Sequence, residues 1–234
     1  MKKLTSLTEA IVLRRRVSPT LLVALIALTV VVPLMASAAE TDSAPEEAML
    51  ENKPWIGDFN EMAEKRQIRV LVAFSKTFYF LDRGRQRGIS YDLLKEFEKF
   101  VNKKLKTKTL KFRVLFIPVK RDELFPGLVE GLGDIAAANL TITPQRLKLV
   151  DFSNPLFSGV KEQLVTGPSA PPVTGVDDLA GQEIHGRRSS SYYESLVQLN
   201  NAFKQAGKPL MKLVAADEMF EDEDLLEMVN AGLI

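Results

Sequence analysis

Apolar positions along this chain switch between two periods. Residues 68–74, IRVLVAF, read as an apolar run short enough for a strand buried on both faces. In GISYDLLKEFEKFVNKKL, Leu94, Phe97, Val101 and Leu105 recur at helical spacing, so one face of a helix turns toward a core. LKFRVLFIPV predicts a second strand, with Phe112, Val114, Phe116 and Pro118 alternating against Lys111 and Arg113. RDELFPGLVEGLGD predicts a second helix with Leu124, Leu128 and Leu132 inward, stopped at Gly131 or Gly133. Ile135 to Ala138 then reads as a third strand. Strands alternating with helices predict an α/β fold with a mostly parallel sheet, covered on both faces.

GPSAPPVTG (167–175) punctuates the chain, and the alternation restarts after it. QEIHG is a short strand, and SSSYYESLVQLNNAF a helix with Tyr192, Leu196, Leu199 and Phe203 on one stripe. PLMKLVA and EDEDLLEMVNAGLI supply another strand and another helix. The second half also echoes the first: Leu124, Leu128 and Gly131 find counterparts in Leu225, Val229 and Gly232. Two lobes of one type are expected, the first over 55–160 and the crossover with a partial second lobe over 161–234. Gly133 and Asp134 lead at once into a strand, whereas the equivalent point of the second lobe is Ile234. The second lobe therefore reads as incomplete, and the chain as truncated.

The N-terminus has a different character. Residues 1–16 carry five basic side chains against Glu9, Leu21 to Met35 is mostly apolar, and Ala36-Ser37-Ala38 follows. A basic segment, a short apolar segment and a small-x-small site predict a signal peptide over 1–38, with an uncleaved anchor as the rival. Residues 39–54 read as a flexible leader. Without 1–38, the 31 basic and 30 acidic residues fall to 26 and 29, a formal charge of −3. Nucleic acid is not an expected partner of such a chain. There is no cysteine, which removes disulfide frameworks and thiolate metal sites.

The candidate chemistry gathers after the third strand. Ligands of parallel α/β sheets sit outside the carboxyl ends of the strands, where Asn139 and Thr141 fall. Thr143 can cap a helical turn begun by Pro144. Arg146 then lies in the first turn, where its cation is mismatched to the helix dipole. It suits either a bidentate grip on a ligand carboxylate or an ion pair with Asp151 or a nearby glutamate. In the second lobe Ser189, Ser190 and Ser191 precede a helix, a place that suits an anion. Ser191 and Glu194 form a capping box, which leaves Ser190 as the freer hydroxyl.

GISYDLL, ELFPGLVEGLGDIAAANLTITPQR, VDFSNPLF, DDLAGQEI and SSSYYESL resemble the family 3 extracytoplasmic solute-binding domain. Within it they are similar to the N-terminal domain of membrane-bound lytic murein transglycosylases of the F type, W-x-G-D-F start included. The resemblance covers about residues 55–234 and implies a two-lobed periplasmic-binding-protein-like fold. It implies that Arg146 holds a ligand carboxylate, with Thr141 adding a hydrogen bond and Ser190 and Ser191 facing them. It also places Tyr79 or Phe80 against the ligand, although the loop that carries them lacks the family's common proline pair. The implied ligand is an amino acid or small peptide, and the implied partner a membrane permease or a murein hydrolase domain. The family's usual ammonium-binding carboxylate and the transglycosylase's catalytic glutamate lie beyond Ile234, so no catalytic activity, cofactor or metal is expected of these residues.

The enzyme rival is a dehydratase of the cyclohexadienyl type on the same fold. It needs a general acid or base in the cleft, and the only histidine, His185, falls in a strand without an evident partner. Asp82 to Arg85 reads as a hairpin turn. The basic KFVNKKLKTKTLK reads as a solvated helix face and turn. The acidic run at 221–224 reads as a helix start favoured by the dipole.

Overall fold

The computed structural model describes Glu9–Arg14 and residues 53–234. The predicted apolar segment and cleavage site at 21–38 lie outside the described residues. So does the predicted leader, except Lys53 and Pro54.

Lobe 1 is built on a five-stranded sheet in the order β5-β2-β6-β1-β7. β2 (Gln67–Ala73) pairs in parallel with β5 (Arg113–Val119) and with β6 (Ile135–Thr141). β1 (Glu9–Arg14) runs antiparallel between β6 and β7 (Val150–Phe152). Glu9–Arg14, within the segment 1–38 expected to be a signal peptide, thus stands as a strand in this sheet.

The alternation of β2 decides what covers each face. Ile68, Val70 and Val72 pack with Leu94 and Val101 of α2 (Ile89–Lys104), and with Phe112 and Ile135. Leu71 and Ala73 pack on the other face with Leu124 and Leu128 of α3 (Leu124–Glu130), and with Ala136, Leu140 and Val150. Gly133 stands where Leu71 crosses: a Cβ there would lie 2.4 Å from Leu71 Cγ. The helix stop is Gly131, whose φ of 79° is left-handed and whose N–H caps back onto Gly127 and Leu128 carbonyls.

Two local features were hidden in the sequence. Residues 59–65 form a short helix, α1 (Phe59–Lys65), closed by a capping box in which Asp58 accepts from Asn60 and Glu61 while Glu61 accepts from Asp58 N. Trp55 is anchored beside it, its ring under Lys65 Nζ at 3.5 Å and its carbonyl accepting from Arg69 at 2.9 Å. The expected hairpin is present as β3 (Phe80–Asp82) and β4 (Arg85–Arg87). α2 follows from Gly88, at φ 115°, where a Cβ would meet the Phe78 carbonyl oxygen at 2.3 Å.

Lobe 2 has a parallel pair, β8 (Glu183–Arg187) and β9 (Lys212–Ala216), with α4 (Ser191–Gln205) and α5 (Asp222–Asn230). Its buried cluster is Leu179, Phe203 and Met211, against ten and eight buried residues on the two faces of lobe 1. Less buried apolar area implies lower local stability. We expect amides of β8, β9 and α5 to exchange hydrogen faster than those of β2, β5 and β6. Equal protection in a hydrogen-exchange time course would overturn that ranking.

No helix among the described residues is long and apolar enough to cross a membrane.

Candidate functional site

The site lies where the carboxyl ends of β2, β5 and β6 meet the second lobe. The backbone at the end of β6 shapes it. In the pairing with β1, Ala10 faces Leu140 and Val12 faces Ala136, so three residues of β6 bulge against one of β1. Asn139 sits within this stretch at φ 53°, a left-handed conformation that asparagine tolerates better than most residues. The Ala138 carbonyl just before it accepts from Arg121.

Arg146 is 6% exposed. Its backbone N–H donates to Thr143 Oγ1 at 3.3 Å, so Thr143 does cap the turn. Its guanidinium donates from Nη1 to the Thr141 carbonyl at 3.0 Å, from Nη2 to the Ser189 carbonyl at 2.8 Å and from Nε to Glu194 Oε1 at 3.2 Å. The ring of Phe125 lies below it, 5.1 Å from Cζ. Burial pulls the Arg146 pKa below its ordinary value, Glu194 opposes that shift, and the neighbouring Arg121 cation adds to it.

Arg121, just past the end of β5, is built in the same manner. Its Nη1 donates to the Ala138 carbonyl at 2.8 Å, while Nε and Nη2 grip both oxygens of Glu221, Nε at 2.8 and 3.1 Å. Burial penalises this cation, but the bonds and charge of Glu221 outweigh the penalty and hold its pKa above the ordinary value.

Other bonds join the lobes around these two. Ser191 Oγ donates to Thr141 Oγ1 at 3.1 Å, Ser75 Oγ to Glu223 at 2.8 Å, and Lys76 to Glu227 at 2.7 Å. The acidic run 221–224 is thus distributed over protein partners: Glu221 on Arg121, Asp222 on Arg187, Glu223 on Ser75 and Asp224 on Lys76. Arg187, 1% exposed, ties the end of β8 to the start of α5 through the Phe220 carbonyl and Asp222.

Of the residues singled out from sequence, Arg146, Thr141 and Ser191 come together. Ser190 and Ser191 exchange the roles expected of them. Ser190 caps α4, accepting from Tyr193 N at 3.2 Å and donating to the Arg187 carbonyl at 2.6 Å, because its backbone is the extended residue before the helix. Ser191 is the hydroxyl that faces lobe 1. Asn139 is exposed, and its part is conformational. Tyr79 is 2% exposed and stacked on Phe116 at 5.6 Å, so its ring belongs to the core. Phe80 is half-buried at the start of the hairpin. His185 is in β8 as expected, 3.0 Å from Glu183.

Arg121 escaped the sequence reading, and Glu194 and Glu221 entered it only as a capping-box residue and part of an acidic helix start. The rule that picked Arg146, a polar residue just past a parallel strand, also fits Arg121 after β5. No such signal marks the two glutamates, which reach the site from the other lobe.

The profile of the bacterial extracellular solute-binding proteins, family 3, matches residues 68–234. The chain belongs to this family. Curated relatives include the membrane-bound lytic murein transglycosylase F of Pseudomonas putida, 29% identical over 168 residues, 71% of this chain and 32% of that one. The protein of that name from Ectopseudomonas mendocina is 30% identical over 185 residues, 79% of this chain and 34% of the relative. The family 3 chain spans about a third of the length of these relatives. Among solved structures, an ancestral amino acid-binding protein described as a precursor of cyclohexadienyl dehydratase superposes with a TM-score of 0.56 at 24% identity, covering 74% of this chain and 70% of that one. Holo ArgBP from T. maritima gives 0.52 at 19%, covering 75% and 69%. These likenesses establish the periplasmic-binding-protein-like fold of the family 3 chain, and neither bears on its ligand.

Proposed function

We propose that these residues form a ligand-sensing, non-catalytic solute-binding domain for an amino acid or small peptide, with Arg146 gripping the ligand's carboxylate. The observation that carries this reading is the Arg146 guanidinium, buried at a strand end and shared between two lobes. Thr141 and Ser191 flank it as hydroxyl partners. A carboxylate with two oxygens would satisfy it better than the single Glu194 oxygen and two neutral carbonyls it now holds. Closure about the crossover between lobes would then report occupancy.

The names of the curated relatives favour a specific setting, the sensor half of a murein hydrolase rather than the carrier of a membrane permease. Reading the gene downstream of codon 234 separates the two, since a hydrolase domain in frame fits only the first.

The family's description and the basic-apolar N-terminus favour an extracytoplasmic location. N-terminal sequencing of the exported protein should return Ala39, with β1 removed along with the signal peptide; a soluble cytoplasmic species beginning at Met1 would exclude export. The binding reading itself is tested by calorimetric titration of the full chain with a panel of L-amino acids, and with the Arg146 variants described in the Discussion.

A further inference from the structure

Arg121 and Arg146 repeat one design. Arg146 is buried and Arg121 nearly so, each lies just beyond a strand of lobe 1, and each has one terminal nitrogen fixed by a carbonyl at the end of β6. Those carbonyls, Ala138 and Thr141, lie on either side of the left-handed Asn139, so one stretch of β6 backbone orients both guanidinium groups. Each then turns its remaining nitrogens to the facing lobe, where a carboxylate meets it: Glu221 for Arg121 and Glu194 for Arg146. An isolated arginine in a cleft needs one anion. Two arginines held on carbonyls of the same strand end, at Ala138 and Thr141, need two.

We propose that Arg121 is a second anion subsite, and that the ligand class of this domain is a diacid: an acidic amino acid or a peptide ending in one. Glu194 and Glu221 stand in the two positions that the ligand's carboxylates would take. This extends the reading that Arg146 binds a carboxylate and rests on it. Binding is an exchange of carboxylates. The lobes part, Glu194 and Glu221 return to water, and the ligand's two carboxylates take their places on a lobe 1 framework that stays fixed. A ligand with one carboxylate and a neutral amide fills Arg146 but leaves Arg121 to take back Glu221, which closes the lobes over a smaller space. The geometry therefore discriminates glutamate from glutamine at Arg121.

The test is calorimetric titration of the full chain with L-glutamate, L-glutamine and the dipeptide L-alanyl-L-glutamate. L-glutamate or the dipeptide should bind at least tenfold more tightly than L-glutamine, and whichever is tighter identifies the free or peptide form. Arg121→Gln should shrink the glutamate-to-glutamine ratio at least tenfold. Glu221→Gln, which keeps the shape but weakens the competitor for Arg121, should tighten L-glutamate severalfold. This second variant removes a charge rather than a cation, so it remains informative if Arg121→Gln folds poorly. No binding of either diacid, equal affinity for glutamate and glutamine, or an unchanged ratio in Arg121→Gln would overturn the proposal. If Arg146→Ala still abolishes binding in those cases, the carboxylate reading of Arg146 stands and only the second subsite fails. If Arg146→Ala binds as the parent does, the underlying reading fails first.

Discussion

Arg146→Ala should abolish ligand binding while leaving the fold of lobe 1 intact. Removal of a charge-assisted contact from a desolvated site costs about 2–5 kcal/mol, a loss of roughly thirtyfold or more in affinity. Arg146→Lys should be nearly as damaging. An ammonium is a point charge, and it cannot span the Thr141 carbonyl, the Ser189 carbonyl and a carboxylate at once. The side chain also links the lobes through Ser189 and Glu194, so some loss of stability is expected in both variants. Calorimetry and thermal melting separate the effects. Full affinity with a lowered melting temperature in Arg146→Ala would make Arg146 a structural ion-pair partner and nothing more.

Asp134→Ala should be the most destabilising single substitution of a charged residue in lobe 1. Asp134 Oδ2 accepts from Arg69 N at 2.7 Å and Arg69 Nε at 3.2 Å, and Oδ1 accepts from Nη2 at 2.8 Å. Its own N–H donates to the Arg69 carbonyl at 2.8 Å, so the pair stitches β2 to the entry of β6. The two side chains are 7% and 4% exposed. Breaking a buried pair by deleting one partner costs about 3–5 kcal/mol, because the other charge is left in a poor solvent. At about 2–4 °C per kcal/mol for a chain of this size, the melting temperature should fall by roughly 10 °C. Far-UV circular dichroism during a melt measures it. Replacing both partners together, Arg69→Met with Asp134→Leu, should cost clearly less. A double variant no more stable than Asp134→Ala would refute this account of the penalty.

That pair also marks a limit of reading the sequence. Residues 68–74 look like an uninterrupted apolar strand, and six of the seven residues of β2 are indeed buried. Arg69 in its middle is buried too, tolerable because Asp134, 65 positions away, and the Trp55 carbonyl take up its charge and N–H groups. Elements were legible because they rest on local periods: β2, α2, β5, α3 and α4 all follow from side-chain spacing. Arg146 was legible because its place after β6 is local as well. Its partners were not. Glu194 lies 48 residues on, and Glu221 lies 100 residues beyond Arg121, so both pairings exist only after the lobes meet. The roles of Ser190 and Ser191 turned on a single residue of helix register, a margin that a run of three serines leaves undetermined. Tyr79 was misplaced for a related reason. An aromatic ring in a loop can serve a ligand or a core, and only the stacking on Phe116 decides between them.

The charges that meet between the lobes are sorted by sign. Lobe 1 contributes Lys76, Arg121 and Arg146, and lobe 2 contributes Glu194, Glu221, Asp224 and Glu227. Such a segregation makes each lobe an electrostatic template for the other, pulling them together before any contact forms. Dissolved ions act unevenly on this attraction. The Debye length is about 8 Å at physiological ionic strength, so the exposed Lys76 pairs are quenched by added salt, while the buried Arg121 pair is shielded from it. Salt would therefore slow the approach of the lobes far more than it would loosen their final embrace, so the ionic medium sets the tempo of closure and the buried pair sets its grip.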